Sequence, residues 1–264
     1  MTGKTMAKQE KNPESEWFGY QKVDSQEKTR LVEDVFSSVA SRYDLMNDLM
    51  SGGLHRLWKR KFISIIHPRA EHRLLDLAGG TGDISFHYLK RTKGEAKITV
   101  CDLNQDMLDV GQDRALDKGI IKEIDWVQGN AEKLPFEDNS FDVCTIAFGL
   151  RNVTHIDNAL AEIYRVLKPG GRFFCLEFSH VVLPVLDKIY DAYSFHIIPK
   201  LGEWIAKDAE SYQYLAESIR QFPKQQELVE RMGNAGFKSA RYRNMTGGIV
   251  AIHSGVKTAE KKKD

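Results

Sequence analysis

The chain has little cysteine, almost no net charge and no long apolar run, and each shortage removes a class of protein. Its 264 residues hold three cysteines, Cys101, Cys144 and Cys175. Each lies inside an apolar stretch, none has metal-pair spacing, and an odd number argues against a disulfide framework. All three therefore read as reduced core residues of an intracellular protein. Lys and Arg number 38 against 37 Asp and Glu, so no net field is available to attract nucleic acid. No segment offers the roughly 18 unbroken apolar residues of a membrane span. The opening residues carry Glu10, Glu14 and Glu16 among lysines and lack an apolar centre, which argues against a secretory signal or a transit peptide. No internal repeat or interdomain linker is visible. What remains is an ordinary globular α/β chain.

The organising stretch is 73–83, Arg-Leu-Leu-Asp-Leu-Ala-Gly-Gly-Thr-Gly-Asp. Its first half is apolar except for Asp76, as a parallel strand buried on both faces should be. Ala78, Gly80 and Gly82 then alternate with Gly79 and Thr81, so the backbone can turn tightly and approach a ligand closely. A dinucleotide turn would place a third glycine three residues after Gly82, where Ser85 stands. Acid-x-small-x-Gly-x-Gly instead resembles the first motif of S-adenosylmethionine (SAM) methyltransferases. That ligand has a sulfonium, an ammonium and a ribose, which acidic groups suit better than a bare helix dipole does. A tight strand-to-helix turn with no ligand is the alternative.

Ahead of this strand, residues 1–26 are expected to form a disordered tail and 27–70 a helical cap. Val32, Val35, Phe36 and Val39 keep helical spacing, as do Leu54, Leu57, Trp58, Phe62 and Ile65, with Ser51-Gly52-Gly53 separating the two runs. Between them, Ser41-Arg42-Tyr43-Asp44 is either a solvated turn or a substrate-facing lid. From 73 onward strands alternate with helices, the strands being 73–78, 97–102, 124–129, 141–148 and 172–178. Asp102 lies twenty residues beyond Gly82 at the mouth of the second strand, within reach of ribose hydroxyls. Asn130 and Ala131 end the third strand at the same edge, where the asparagine can bond an adenine and the alanine keeps the approach open. Arg151 and Asn152 follow the fourth strand there. A helix stops at Lys168-Pro169-Gly170-Gly171 ahead of the fifth strand.

A helical insert is expected over 180–222, rich in aromatics including Tyr190, Tyr193, Trp204, Tyr212 and Tyr214. It either covers the sheet edge or lines an apolar pocket. A helix at 224–235 and a closing hairpin of 238–244 and 248–253 complete a single domain over 27–257, and 258–264 should fray.

The segments Asp76 to Asp83, Asn-Ala-Glu-Lys-Leu-Pro-Phe at 130–136, Phe-Gly-Leu-Arg-Asn-Val at 148–153, Tyr-Asp-Ala-Tyr-Ser-Phe-His at 190–196 and Tyr-Gln-Tyr-Leu-Ala-Glu-Ser-Ile at 212–219 together resemble the ubiquinone/menaquinone biosynthesis C-methyltransferases. The likeness runs from about Phe36 to Val256, and the segments at 148–153 and 190–196 are the more specific. It implies a class I methyltransferase, a Rossmann-like α/β fold with a seven-stranded sheet and an antiparallel last strand. It implies SAM as cofactor, with Asp76, Gly80, Thr81, Gly82, Asp102, Asn130 and Ala131 in the cofactor site and no metal. Where the family commonly has serine this chain has Ala147, so a hydroxyl contact there is lost.

The implied substrate is a polyprenylated benzoquinol or naphthoquinol, methylated on a ring carbon. Such chemistry needs stabilisation of a phenolate, whose charge makes the ortho carbon nucleophilic. Arg151 is assigned to that role, with Tyr43 and Asn152 fixing the ring. The implied setting is the bacterial cytoplasm at the inner face of the membrane, ahead of a mitochondrial matrix, with transient membrane contact and association with other quinone-biosynthesis enzymes. Three other readings remain: methylation of another small phenol, nicotinamide-dependent oxidoreduction, and a non-catalytic SAM-fold module.

Overall fold

A computed structural model describes residues 15–182 and 209–259. Seven strands form one sheet: β3 (Arg73–Leu77), β4 (Lys97–Asp102), β5 (Ile124–Gln128), β6 (Phe141–Ala147), β7 (Leu167–Phe178), β8 (Lys238–Met245) and β9 (Val250–Val256). Their order is β5-β4-β3-β6-β7-β9-β8. The first five are parallel, while β9 runs antiparallel to both β7 and β8. The order reverses at β3, so a crevice opens between the carboxyl ends of β3, β4 and β6, where open α/β sheets take their ligands.

Alternation along the strands explains why both faces are covered. Leu74, Ile98, Val100, Val143 and Leu176 point into one core, packed by α3 (His55–Ile66), α4 (Asp83–Arg91) and α5 (Gln105–Asp117). Leu75, Leu77, Ile146 and the three cysteines point into the other, with α6 (Ile156–Val166) and α8 (Gln225–Asn234). Each fully buried leucine contributes about 1.5–3 kcal/mol. The thiols are free and buried. Burial pushes Cys101 up to about 12 and Cys144 and Cys175 well above the ordinary thiol range.

The cap consists of α1 (Ser25–Val39), a single 3-10 turn Ala40–Arg42, α2 (Tyr43–Ser51) and α3. Asp24 caps α1 by accepting from the Gln26 and Glu27 N–H groups at 2.9 Å. The hinge expected at 41–44 is therefore the 3-10 turn and the first residues of α2.

Two expectations are corrected. The N-terminal tail extends at most to residue 14, because β1 (Ser15–Phe18) and β2 (Gln21–Asp24) form an antiparallel hairpin. Its turn donates the Tyr20 N–H to Glu217 of α7 (Ala209–Gln221) at 3.0 Å, and Phe18 stacks on Tyr214 with ring centroids 4.1 Å apart. The Pro-Gly-Gly segment also lies inside β7 rather than before it. Leu167 already pairs with Phe141, and the chain bulges there, with the Gly170 N–H bonded to Lys257 O at 2.6 Å. The remaining strand limits and the helix at 224–235 agree with the sequence to within two residues except at the end of β9, which lies three residues beyond 253. Most of the expected insert, 183–208, and the ends 1–14 and 260–264 lie outside the described residues.

Candidate active site

The crevice is a cavity of about 780 Å³ including its open mouth. One wall is made of strand ends and their turns: Leu77, Ala78 and Gly80 after β3, Asp102 to Asn104 and Met107 after β4, Gly129 to Glu132 after β5, and Phe148, Gly149 and Asn152 after β6. The other wall comes from helices, with Thr29, Val32, Glu33 and Phe36 of α1 and Tyr43 of α2.

The strand-end wall is tightly folded. Ala78 and Phe148 both take positive φ, 48° and 59°, directly after β3 and β6. That conformation is costly outside glycine and is held here by the surrounding packing. Gly80 shares it at 48°, where a side chain would be strained, and a Cβ there would push the Met107 methyl of α5 aside, 2.7 Å away. The Gly80 N–H donates to Asp102 Oδ2 at 2.8 Å, and the Asn104 N–H to Oδ1 at 2.9 Å. Burial raises Asp102 to about 6 against these bonds. Asn130, on the cavity wall, accepts the Glu132 N–H on its Oδ1 at 2.8 Å, which leaves its amide N–H₂ group without a bond in that turn.

Six of the ten sequence-predicted site residues line this cavity: Tyr43, Gly80, Asp102, Asn130, Ala131 and Asn152. Four do not. Asp76 is fully enclosed and accepts from the Ser85 N–H and hydroxyl at 3.1 and 2.7 Å and from the Thr145 hydroxyl at 2.9 Å. Burial raises it to about 6, and it ties the turn to α4 and β6 rather than meeting a ligand. Thr81 is buried and accepts from Arg114 at 2.7 Å, while Gly82 packs under Trp126 and Phe86. Both support the turn from behind. Ala147 lies outside the walls too; Phe148 and Gly149 take its place.

Arg151 is the largest correction. Its Nη1 donates to Glu177 Oε1 at 2.8 Å and to Phe148 O at 2.6 Å, and both partners of the ion pair are almost completely enclosed. Glu177 also accepts the N–H groups of Phe178 and Arg151, at 2.9 and 3.3 Å. Burial pushes the Glu177 carboxyl up, and the guanidinium opposes it. Arg151 is therefore neutralised beneath the cavity floor, opening on a neighbouring polar cleft instead. The residue the sequence reading missed is Glu177. Its signal was available: a lone acid in the apolar run of β7, the same pattern that marked Asp76.

Also missed were Glu33, Asn104 and Glu132 in the cavity and Tyr214 behind it. The Tyr214 hydroxyl donates to Asn152 Oδ1 at 3.1 Å. Asn104 could have been found as the cap of α5, where its side chain accepts the Met107 N–H at 2.9 Å. A second link joins the cap to the turn: Lys59 of α3 reaches Asp83 at 2.7 Å, and Arg114 holds the other oxygen at 3.1 Å. Burial alone would raise Asp83, but Lys59 and Arg114 bring it down to about 2.

Among the described residues the lining holds three carboxylates, Glu33, Asp102 and Glu132, and no lysine, arginine or histidine. A pyrophosphate would meet only negative charge there, which disfavours a nicotinamide dinucleotide. A sulfonium with an ammonium group and a ribose fits this donor set, and the apolar remainder, Val32, Phe36, Met107 and Phe148, suits flat rings.

A seven-stranded sheet of this order with a carboxylate-lined cavity at its switch point defines a class I SAM-dependent methyltransferase. A solved SAM-dependent methyltransferase of Thermotoga maritima shares the fold, with a TM-score of 0.59 at 20% identity over 86% of this chain and 100% of that one. Haemonchus contortus phosphoethanolamine N-methyltransferase 2, solved in complex with SAM, has a TM-score of 0.52 at 18% identity over 71% of this chain and 49% of its own. Sequence narrows the class. The model of the ubiE/COQ5 methyltransferase family matches residues 21–257, and the chain belongs to that family. It is 57% identical over 242 residues to the ubiquinone/menaquinone biosynthesis C-methyltransferase UbiE of Brucella abortus (strain S19), covering 91% of this chain and 90% of the relative.

Proposed function

We propose that this cavity methylates a ring carbon of a polyprenyl benzoquinol, a demethylmenaquinol or both. The chain is a SAM-dependent C-methyltransferase of ubiquinone/menaquinone biosynthesis. The observation that carries the residue-level reading is the charge pattern of the cavity: Asp102 and Glu132 at the strand ends, Glu33 with apolar and neutral polar groups opposite, and no cationic side chain among the described residues of the lining.

When bound, SAM supplies an electrophilic methyl group on a sulfonium. Asp102 would hold the ribose hydroxyls with its remaining lone pairs, and Asn130 and Ala131 would flank the adenine. Tyr43 and Asn152 lie on the cavity wall as neutral hydrogen-bond groups for the quinol oxygens. Burial keeps the Tyr43 phenol above its usual range, so it stays protonated. These donors take over the oxyanion role the sequence reading gave to Arg151. Ionising the quinol hydroxyl, its proton passing to water, makes the ortho carbon nucleophilic; as the carbon–methyl bond forms the sulfur–methyl bond breaks, S-adenosylhomocysteine leaves, and the ring regains aromaticity when that carbon gives its hydrogen to water as a proton. The test is mass spectrometry of the quinone pool in cells lacking the protein. A precursor lighter by one methyl group is expected to accumulate and to disappear on complementation; an unchanged pool refutes the reading.

A polyprenyl tail resides in lipid, whereas among the described residues no helix is long and apolar enough to cross a membrane. Leu45, Leu54 and Leu57 are exposed on or beside the cap helices, and they support transient docking on the membrane surface. The reading that follows is a peripheral enzyme at the cytoplasmic face of the inner membrane. Liposome flotation should show weak binding that grows with quinol present and falls in Leu57→Glu. Tight, salt-resistant binding without substrate counts against it.

A further inference from the structure

Asn152 is the point where the cavity touches the N-terminal hairpin, through one intermediary. Its Oδ1 accepts the Tyr214 hydroxyl at 3.1 Å. An amide has one acceptor atom and two donor N–H bonds, so engaging the oxygen leaves the N–H₂ group as what Asn152 offers a ligand from the cavity wall. Tyr214 itself is buried, and its ring is stacked on Phe18 at 4.1 Å with the planes 13° apart. That hairpin is fastened in turn by Tyr20 to Glu217, one helical turn along from Tyr214.

We propose that Tyr214 is a positioning residue that aims the Asn152 amide N–H at the oxygen of a phenolic substrate, and that Phe18 of the hairpin holds Tyr214 in place. The inference rests on the proposed quinol reaction. Burial raises the Tyr214 phenol, so its hydroxyl keeps the proton it donates. The other titratable groups facing the cavity are Glu33, Tyr43, Asp102 and Glu132. Arg151 is paired with Glu177 behind it. With three carboxylates on the wall and no lysine, arginine or histidine among its described residues, a bound phenolate there depends on neutral donors. A flipped Asn152 would present its carbonyl oxygen to that phenolate and oppose it.

The experiment follows the ionisation of a bound nitrophenol by its visible absorbance, with S-adenosylhomocysteine present. In the wild-type protein the midpoint should lie below that of free nitrophenol. Tyr214→Phe keeps the ring stack and removes the hydrogen bond; Asn152→Ala removes the donor. Each should raise the midpoint by about one pH unit, equivalent to about tenfold in the ratio of bound phenolate to phenol, and the double variant should raise it no further. Tyr214→Phe should also lower kcat for quinol about tenfold with SAM affinity unchanged. An unaltered midpoint in Tyr214→Phe, additive shifts in the double variant, or no nitrophenol binding by the wild type overturns the proposal. Quinol methylation without a midpoint shift refutes the positioning and leaves the reaction standing. A midpoint shift with no quinol methylated refutes the reaction and leaves the positioning standing.

Discussion

Two parts of the strand-end wall hold their polar groups in different ways. After β4 and β5, Asp102 and Asn130 are fixed by backbone N–H groups from residues close in sequence or on the neighbouring turn, Asn104, Glu132 and Gly80. After β6, Asn152 is held by Tyr214, sixty-two positions away, and its neighbour Arg151 by Glu177, twenty-six positions apart. A ligand group on the first part depends on local backbone geometry. On the second it depends on tertiary packing, so damage to packing should fall on the quinol and leave the cofactor alone.

The largest test of that division is Arg151→Met. It leaves the Glu177 carboxylate enclosed without its partner, which costs about 3–5 kcal/mol in denaturant unfolding. Arg151→Met with Glu177→Leu should recover most of this. SAM affinity of the folded fraction should be unaffected in both, and a variant as stable as wild type would break the comparison. Next is Asp102→Asn, which replaces a carboxylate by an amide at the ribose. Charge-assisted bonds are worth about 1.5–3 kcal/mol, so calorimetry should show SAM bound at least about tenfold more weakly with thermal stability retained. An unchanged Kd removes Asp102 from the site.

The pH dependence sharpens the same point. The carboxylate form of Asp102 is the one that binds, and burial holds its pKa at about 6. SAM affinity should therefore be full above that value and fall by about tenfold per pH unit as pH drops below it, with no such slope in Asp102→Asn. Asp76 titrates in the same range but faces away from the cavity, so it should not contribute to the slope. The smallest effect is expected for Phe18→Ala. An aromatic pair is worth about 0.5–1.5 kcal/mol, so quinol turnover should fall a few-fold while the Kd for SAM stays constant. Equal losses in both would mean that the hairpin supports the whole site.

The same division explains what could be read from sequence. The β4 limits, 97–102, and the glycine turn follow from local rules: an apolar run, a carboxylate at the strand end, small residues where φ turns positive. Asp102, Asn130 and Ala131 were legible because their place at strand ends follows from the alternation of elements. Asp76 was misread because a motif acid and a ligand-facing acid look alike in sequence, and only burial separates them. Arg151 failed for a tertiary reason, since nothing nearby in sequence announces Glu177 as its partner. The hairpin was missed although it carried a signal: Gly19-Tyr20 is a two-residue turn between Glu-Trp-Phe and Gln-Lys-Val. Its strands are four residues long, half polar and rich in charge, so periodicity alone did not distinguish them from a tail.

The three cysteines turn the centre of the sheet into a reporter of its own opening. They lie on β4, β6 and β7 on one face, each fully enclosed. A thiol-modifying reagent can reach them only in molecules whose strands have parted. The rate of irreversible labelling, read as mass added per chain, therefore counts those openings in the unmodified protein, with no engineered tag. Molecules carrying three adducts mark openings that exposed all three strands together, and single adducts mark breathing confined to one.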